Sequence, residues 1–271
     1  MKKSRIACIQ NSAGTDPAKN LKKVFELTRQ ALKKNPDCVA LPESFYWRGS
    51  KKDMMYVAKH ATKKVLAAFS EMARKSRTVF ILGSIIEAVE HKNRFYNTLV
   101  VISARGKVTA LYRKIHLFDV KIPQGVRICE SDTTLPGADT VTVDLFRKKA
   151  GFGICYDLRF PELFRELTFR GSSVIFLPAN FTKKTGEAHW ETLIRARAIE
   201  NQVFMVAPAQ TGTHPVTGVA SFGTSMIVDP WGRVLAKASQ AGEEVIWADL
   251  DWDLQARLRR EFPVLKHAGC A

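Results

Sequence analysis

Short apolar runs that are rich in β-branched and aromatic residues recur along the whole chain and predict β-strands. They span Arg5 to Gln10, Cys38 to Leu41, Thr78 to Ile85, Asn97 to Ser103, Lys107 to Tyr112, Thr140 to Leu145, Ala150 to Cys155, Ser173 to Pro178, Val203 to Ala209, Ser221 to Val228 and Glu244 to Leu250. Apolar residues at helical spacing predict helices over Pro17 to Lys34, Met54 to Lys75, Pro161 to Phe169 and Ala188 to Glu200. Helices interspersed among strands indicate an α/β fold with mixed sheets and helices outside.

Two segments of the chain resemble each other. Residues 38–45 read Cys-Val-Ala-Leu-Pro-Glu-Ser-Phe, and residues 174–181 read Val-Ile-Phe-Leu-Pro-Ala-Asn-Phe. Two similar halves placed face to face would give two sheets sandwiched between helices. Leu-Pro equally ends two unrelated buried strands, because proline cannot continue a ladder. No linker rich in Gly, Ser or Pro interrupts the chain, so we expect one domain over residues 1–271.

The charge is strongly positive, with 42 Lys and Arg against 26 Asp and Glu, for a net charge of +16. The basic residues form short clusters, several at helical spacing, as on the solvated face of an amphipathic helix. We therefore expect a basic surface and no nucleic-acid partner. No apolar run reaches the roughly 18 residues of a membrane-spanning helix, and the run behind Lys2 and Lys3 is too short for a signal peptide. The sequence predicts a soluble cytoplasmic protein that does not bind membranes.

The cysteines are odd in number and scattered, which argues against a disulfide framework; they are Cys8, Cys38, Cys129, Cys155 and Cys270. No pair has the Cys-x-x-Cys spacing, and no histidines have the spacing of a zinc site. We expect thiols in a reducing compartment and no metal.

One cysteine stands in a context that suits a nucleophile. Residues 151–162 read Gly-Phe-Gly-Ile-Cys-Tyr-Asp-Leu-Arg-Phe-Pro-Glu, a strand that ends at Cys155 before a helix opens. Such a turn lifts a side chain clear of the sheet and leaves backbone N–H groups free to face an anion. Glu43 and Lys114 also follow predicted strands and could reach the same rim. No histidine stands out as a partner for the thiol; His116 is as well explained by packing.

Three motifs together resemble those of the nitrilase superfamily of carbon–nitrogen hydrolases. They are Leu-Pro-Glu at residues 41–43, Tyr-Arg-Lys-Ile-His-Leu at 112–117, and Gly-Ile-Cys-Tyr-Asp-Leu-Arg-Phe-Pro-Glu at 153–162. Blocks at residues 188–190, 195–202 and 225–232 resemble the Nit branch, although Thr224 stands where the nearest relatives often carry His. The resemblance implies a four-layer α-β-β-α sandwich.

The resemblance also implies catalytic roles. Glu43 would be the general base, Lys114 would stabilise charge, and Cys155 would be the nucleophile. Glu130, in Glu-Ser-Asp-Thr at residues 130–133, matches a second glutamate of the family. We expect Lys114 to favour the thiolate and, with the backbone N–H of Tyr156, to neutralise the oxyanion.

The implied function is a cofactor-free amidase that releases ammonia from small amides, as a homodimer or higher homo-oligomer. The Nit branch prefers substrates with a carboxylate remote from the amide, and its substrate-contacting positions correspond to Arg159, Phe181 and Thr185. Trp47 is a plausible pocket wall, and Arg159 is equally well read as an ion-pair partner of Asp157 or Glu162. Slight similarities favour a deaminated-glutathione amidase over an omega-amidase of 2-oxo acid amides. A nitrilase, an N-carbamoyl hydrolase and, more distantly, a non-catalytic basic binding protein are the alternatives.

Overall fold

The computed structural model describes residues 3–121 and 127–268, so Cys270 lies outside the described residues. The strands are β1 (Ser4–Gln10), β2 (Cys38–Ala40), β3 (Val79–Ala88), β4 (Phe95–Ile102), β5 (Val108–Arg113), β6 (Asp119–Lys121), β7 (Arg127–Cys129), β8 (Thr142–Leu145), β9 (Lys148–Phe152), β10 (Ser172–Phe176), β11 (Phe204–Ala207), β12 (Met226–Val228), β13 (Val234–Lys237) and β14 (Glu244–Leu250). The helices are α1 (Pro17–Leu32), α2 (Met54–His60), α3 (Thr62–Ser76), α4 (Pro161–Phe169), α5 (Lys183–Asn201), α6 (Trp252–Glu261) and α7 (Val264–His267).

Twelve of the strands form two six-stranded sheets. The first has the order β14-β1-β2-β3-β4-β5, and the second has the order β13-β12-β11-β10-β9-β8. In each sheet three neighbouring strands run parallel: β1, β2 and β3 in the first, and β9, β10 and β11 in the second. The two similar sequence segments are the middle strands of these triplets, β2 and β10, so they occupy equivalent places in the two halves.

Alternation along the strands divides the core into layers. On β1, Ile6 and Cys8 belong to the cluster shared with the second sheet, whereas Ala7 and Ile9 pack with the apolar face of α1 and α3. Successive strand residues point to opposite faces of a sheet, so one strand serves both layers. With α4 and α5 against the second sheet, this gives the expected helix-sheet-sheet-helix sandwich.

Two predicted helices differ from the structure. The helix expected over Met54 to Lys75 is divided at Ala61, where the buried Thr62 donates a hydrogen bond to the carbonyl of Ile86 at 3.2 Å. Helix α5 begins at Lys183 and contains Gly186, where a Cβ would lie 2.2 Å from the ring of Phe222. This glycine permits close packing without ending the helix.

The short strands β6, β7 and β13 and the helices α6 and α7 were not predicted, because each is too short or too polar to give a clear apolar period. Helix α6 is fixed by tertiary contacts: the ring of Trp252 packs on Phe204, and Gln255 donates to the carbonyls of Ser173 and Gln202. Within the described ranges, no helix is both long enough and apolar enough to span a membrane.

Candidate active site

Glu43 is held in a buried position just beyond β2. The chain of β3 passes so close that a Cβ at Gly83 would lie 2.0 Å from the carbonyl oxygen of Leu41, so only glycine fits there. The side-chain amide of Gln210, from the second half of the chain, donates to the carbonyl of Glu43 at 3.0 Å. The backbone of Glu43 is therefore fixed from both halves of the sandwich.

Lys114 follows β5 directly and is buried, with 2 % of its side chain exposed. Its Nζ donates to Oε1 of Glu43 at 3.1 Å and to Oε2 of Glu130 at 2.8 Å. Burial opposes the charged form, but the two carboxylates outweigh burial and hold the pKa of Lys114 well above its ordinary value. Lys114 is therefore a permanently cationic group between two acids.

Glu130 begins a one-turn 3-10 helix, Glu130–Asp132, and completes this group. Its Oε2 accepts the N–H of Phe118 at 2.9 Å, and its Oε1 accepts from Nδ2 of Asn97 at 3.0 Å. Burial pushes the pKa of Glu130 up, but Lys114 and the hydrogen-bond donors bring it below the ordinary value. Glu130 is thus ionised at neutral pH.

Cys155 lies in a sharp turn between sheet and helix. Strand β9 ends at Phe152, earlier than the predicted end at Cys155, because Cys155 has a φ of +50° and opens a 3-10 helix, Cys155–Arg159. A non-glycine residue in this left-handed region is strained and needs support from its surroundings. The N–H of Cys155 donates to the carbonyl of Pro178 at 2.9 Å, which ties the turn to the neighbouring strand end.

Opposing influences act on the pKa of the Cys155 thiol, and among them Lys114 favours the thiolate, as expected. Burial, followed by the charge of Glu43, raises the pKa of Cys155 well above its ordinary value. Lys114 and the backbone N–H of Asn180 act in the opposite direction but are outweighed. Glu43 acts on the thiol through its charge and its side chain, so a carboxylate that can accept the thiol proton is close to Cys155.

Asp157 is fully buried and connects the cysteine turn to the lysine segment, a role that the sequence did not reveal. Its carboxylate accepts the N–H of Ile154 at 2.8 Å, the hydroxyl of Tyr112 at 2.7 Å, and the N–H and Nδ1–H of His116 at 3.0 and 2.7 Å. The ring of His116 stacks on Phe160 with centroids 3.6 Å apart. His116 therefore stabilises the turn through its contacts with Asp157 and Phe160.

A cavity of about 420 Å³ lies beside Cys155. All the site residues that the sequence suggested line this cavity: Glu43, Trp47, Lys114, Glu130, Cys155, Tyr156, Arg159, Phe181 and Thr185. Tyr156 is the second residue of its 3-10 helix, and the first N–H groups of a helix have no partner within it. The geometry thus leaves a backbone donor beside the thiol.

Arg159 lies on the cavity wall between aromatic rings. Its guanidinium carbon is 5.3 Å from the ring centroid of Phe181 and 5.7 Å from that of Tyr156, and Nη1 lies 3.3 Å from Nδ1 of His189. Within the part of the chain that the structure describes, no carboxylate pairs with Arg159, which removes the alternative of an ion pair with Asp157 or Glu162. A cation on an apolar wall can bind an anionic group of a ligand.

The remaining predicted contacts are held by their own partners. Trp47 is nearly buried and donates from Nε1 to the carbonyl of Thr15 at 3.1 Å, and the hydroxyl of Thr185 lies 2.9 Å from that of Thr182. Among the residues with described positions, no cluster of three or more His, Cys, Asp or Glu could hold a metal ion.

Comparison with known proteins gives one consistent result. The family model for carbon-nitrogen hydrolases matches residues 5–260. The chain is 37% identical over 267 residues to the human deaminated glutathione amidase, covering 97% of this chain and 81% of that protein. It is 38% identical over 265 residues to the mouse omega-amidase NIT2, covering 97% and 94%.

Solved structures agree with the sequence relatives. The Caenorhabditis elegans NitFhit protein superposes with a TM-score of 0.93 at 37% identity, over 98% of this chain and 65% of that one. Saccharomyces cerevisiae Nit3, a member of branch 10 of the nitrilase superfamily, superposes with a TM-score of 0.86 at 30% identity, over 97% of this chain and 95% of that one.

Proposed function

The chain belongs to the carbon-nitrogen hydrolase family, in the Nit branch of the nitrilase superfamily, and we propose that this amidase works through Cys155 as nucleophile, Glu43 as general base and Lys114 as the stabilising cation. The observation that carries this proposal is that Glu43 and Lys114 are hydrogen-bonded to each other and both act on the buried thiol of Cys155.

Each step has a group placed for it. Glu43 takes the thiol proton as the sulfur of Cys155 bonds to the amide carbonyl carbon, and the oxyanion is stabilised by Lys114 and the N–H of Tyr156. Glu43 then gives the proton to the leaving nitrogen as the C–N bond breaks, which leaves a thioester. Water attacks the thioester as Glu43 takes one of its protons, the C–S bond breaks, and Glu43 returns the proton to the sulfur, so the acid is released and the thiol of Cys155 is restored. Glu130 holds Lys114 throughout.

We propose an amide with a remote carboxylate as the substrate, bound through Arg159, with Phe181, Thr185 and Trp47 as further walls. The guanidinium on an aromatic wall is the charged group that would select such a substrate. A cavity of about 420 Å³ is in the range that holds drug-sized ligands, so a molecule as large as deaminated glutathione fits as well as a small omega-amide. The names of the relatives point to these same two substrate classes.

The test is hydrolysis by the purified protein of deaminated glutathione, an omega-amide of a dicarboxylic acid, an N-carbamoyl compound and a nitrile with its matching amide. Products are identified by mass spectrometry, and ammonia is assayed where the substrate is a primary amide. We expect turnover of the carboxylate-bearing amides and none by Cys155→Ala. A preference for the nitrile over its amide would instead identify a nitrilase, and no turnover of any substrate would contradict the proposal.

We also propose that the protein forms a homodimer or a higher homo-oligomer in the cytoplasm, where a thiol enzyme stays reduced. Support comes from an exposed apolar patch that a second copy would cover. Trp231 and Phe262 are 53% and 56% exposed with ring centroids 6.3 Å apart, and Ile199 packs beside Gly232. Analytical ultracentrifugation of Trp231→Glu against the unmodified protein tests this; an unmodified protein that sediments as a monomer contradicts it.

A further inference from the structure

Asn97, on β4, touches each of the three charged residues of the site. Its carbonyl accepts the N–H of Lys114 at 2.9 Å, and its side-chain Nδ2 donates to Oε1 of Glu43 at 2.9 Å and to Oε1 of Glu130 at 3.0 Å. Residue 97 is 54 residues from Glu43 and 33 from Glu130 along the chain. Only the fold brings these groups together.

The orientation of this amide follows from its partners. Ionised carboxylates only accept hydrogen bonds, so the NH₂ end of Asn97, not its oxygen, must face the two acids. Lys114 donates to the same two carboxylates from its own side. The four side chains therefore form a closed ring in which each carboxylate receives one N–H from Asn97 and one from Lys114.

The ring leaves one oxygen of Glu43 for chemistry. Among the residues whose positions are described, both N–H donors to Glu43 bond to Oε1. Oε2 is therefore the oxygen available for the proton of Cys155. Two carboxylates that share a buried site repel each other. The donors of the ring offset that repulsion.

We propose that Asn97 is a positioning residue for the general base: its amide separates Glu43 from Glu130 and turns the second oxygen of Glu43 toward Cys155. This inference rests on the proposed function, since it takes Glu43 to be the base. Loss of the amide leaves Oε1 of Glu43 with Lys114 as its one remaining donor among the described residues, so the carboxylate can turn away from Cys155 while the substrate-binding wall is unchanged.

The experiment compares Asn97→Leu, which keeps the size but has no donor, and Asn97→Asp, which adds a third acid. Thr98→Val is the matched control. The buried Thr98 is the next residue of β4, and its hydroxyl donates to Glu87 at 2.6 Å, a carboxylate that does not line the cavity. Each variant is assayed for kcat and KM against pH. The rate of carboxamidomethylation of Cys155 by iodoacetamide is followed against pH by mass spectrometry without substrate.

For Asn97→Leu we expect kcat to fall about 10- to 100-fold with little change in KM, as for loss of hydrogen bonds to a charged group. The alkylation profile of Cys155 should move to lower pH in Asn97→Leu, because a Glu43 that turns away no longer raises the pKa of the thiol. Asn97→Asp should lower kcat at least as far, because a third carboxylate then faces Glu43 and Glu130. Thr98→Val should leave kcat and the alkylation profile unchanged. An unmoved alkylation profile in Asn97→Leu overturns the inference, as does an equal displacement in Thr98→Val.

The alkylation profile separates this inference from the proposed function. A wild-type protein that hydrolyses no amide contradicts the proposed function, yet the displacement of the Cys155 alkylation profile in Asn97→Leu still decides whether Asn97 positions Glu43. If Asn97→Leu fails to fold, the loss of kcat in the nearly isosteric Asn97→Asp, compared with Thr98→Val, carries the test.

Discussion

The hydroxyl of Tyr112 donates a 2.7 Å hydrogen bond to Oδ2 of Asp157, and both residues are buried. Tyr112 lies two residues before Lys114, and Asp157 lies two residues after Cys155. One hydrogen bond therefore joins the strand that carries the cation to the turn that carries the thiol, across the space between the two sheets.

Tyr112→Phe removes this hydroxyl and keeps the ring. The buried carboxylate of Asp157 then lacks one of its donors, which typically costs about 1–3 kcal/mol of unfolding free energy. Urea unfolding followed by circular dichroism measures this loss. Tyr56→Phe is the control, because Tyr56 is 68% exposed and its change should stay within about 0.5 kcal/mol. Equal stability of the two variants would show that the bond to Asp157 contributes nothing.

The sequence alone identified the side chains that follow strand ends. Glu43, Lys114 and Cys155 each come directly after an apolar run or a Leu-Pro break. Such patterns are local, so they can be recognised in the sequence alone. The motifs that resemble a known family then added Glu130. The same resemblance implied the sandwich. The repeated pattern of an apolar strand and Leu-Pro marks the middle strand of each parallel triplet.

The supporting residues could not be predicted in this way. Asn97 is a single polar residue within a strand, and its partner Glu43 is 54 residues away; the partner of Asp157, Tyr112, is 45 residues away. Neither has a local pattern, because hydrogen bonds between distant segments depend on tertiary structure. The direction in which Lys114 acts on the pKa of Cys155 agrees with the prediction, but the burial that outweighs it could not be known from the sequence.

Cys155→Ala should abolish amide hydrolysis, because it removes the nucleophile. The fold should stay intact, because the side chain loses only its sulfur atom. Activity and circular dichroism check this, and a thiol-directed substrate analogue should label Cys155 in the unmodified protein. Cys8 and Cys38 are fully buried and serve as internal controls in the same mass spectrum. Labelling confined to another cysteine would contradict the assignment of the nucleophile.

The alkylation rate of Cys155 should keep rising with pH beyond the point at which a free cysteine levels off. Its pKa is raised by burial and by Glu43, so the thiolate becomes populated only at pH values above the ordinary range. Alkylation with iodoacetamide is quenched at fixed times, and mass spectrometry of the Cys155 peptide gives the rate of alkylation at each pH. Glutathione is the reference thiol. A profile that levels off at lower pH than that of glutathione would mean that Lys114 outweighs burial.

Glu130→Gln should lower kcat strongly, because Lys114 loses one of its two carboxylate partners. The pKa of Glu130 is depressed in the folded protein, so its ionised form stabilises the fold above the ordinary glutamate pKa, and this contribution is lost as the pH falls through the depressed value. Glu130→Gln should therefore be less stable than the unmodified protein at neutral pH, with the difference shrinking in acid.

Melting curves from acid to neutral pH check the stability half of this prediction. Glu162→Gln is a suitable control, because Glu162 is exposed at the first turn of α4, outside the cavity. A stability difference that is the same at every pH would contradict the ionised state of Glu130. Wild-type kinetics in Glu130→Gln would contradict its part in holding Lys114.

Arg159→Lys tests how the substrate is selected. Lysine keeps the charge but loses the planar fork that binds a carboxylate through two parallel hydrogen bonds, and it stacks less well on Phe181. KM should rise for amides with a remote carboxylate, whereas short neutral amides should be little affected. Arg165→Lys is the control, since Arg165 also lies near an aromatic ring, that of Phe169, but outside the cavity. Equal losses on neutral and anionic amides would show that Arg159 supports the wall and does not bind the carboxylate, and the roles proposed for Glu43 and Cys155 would be unaffected.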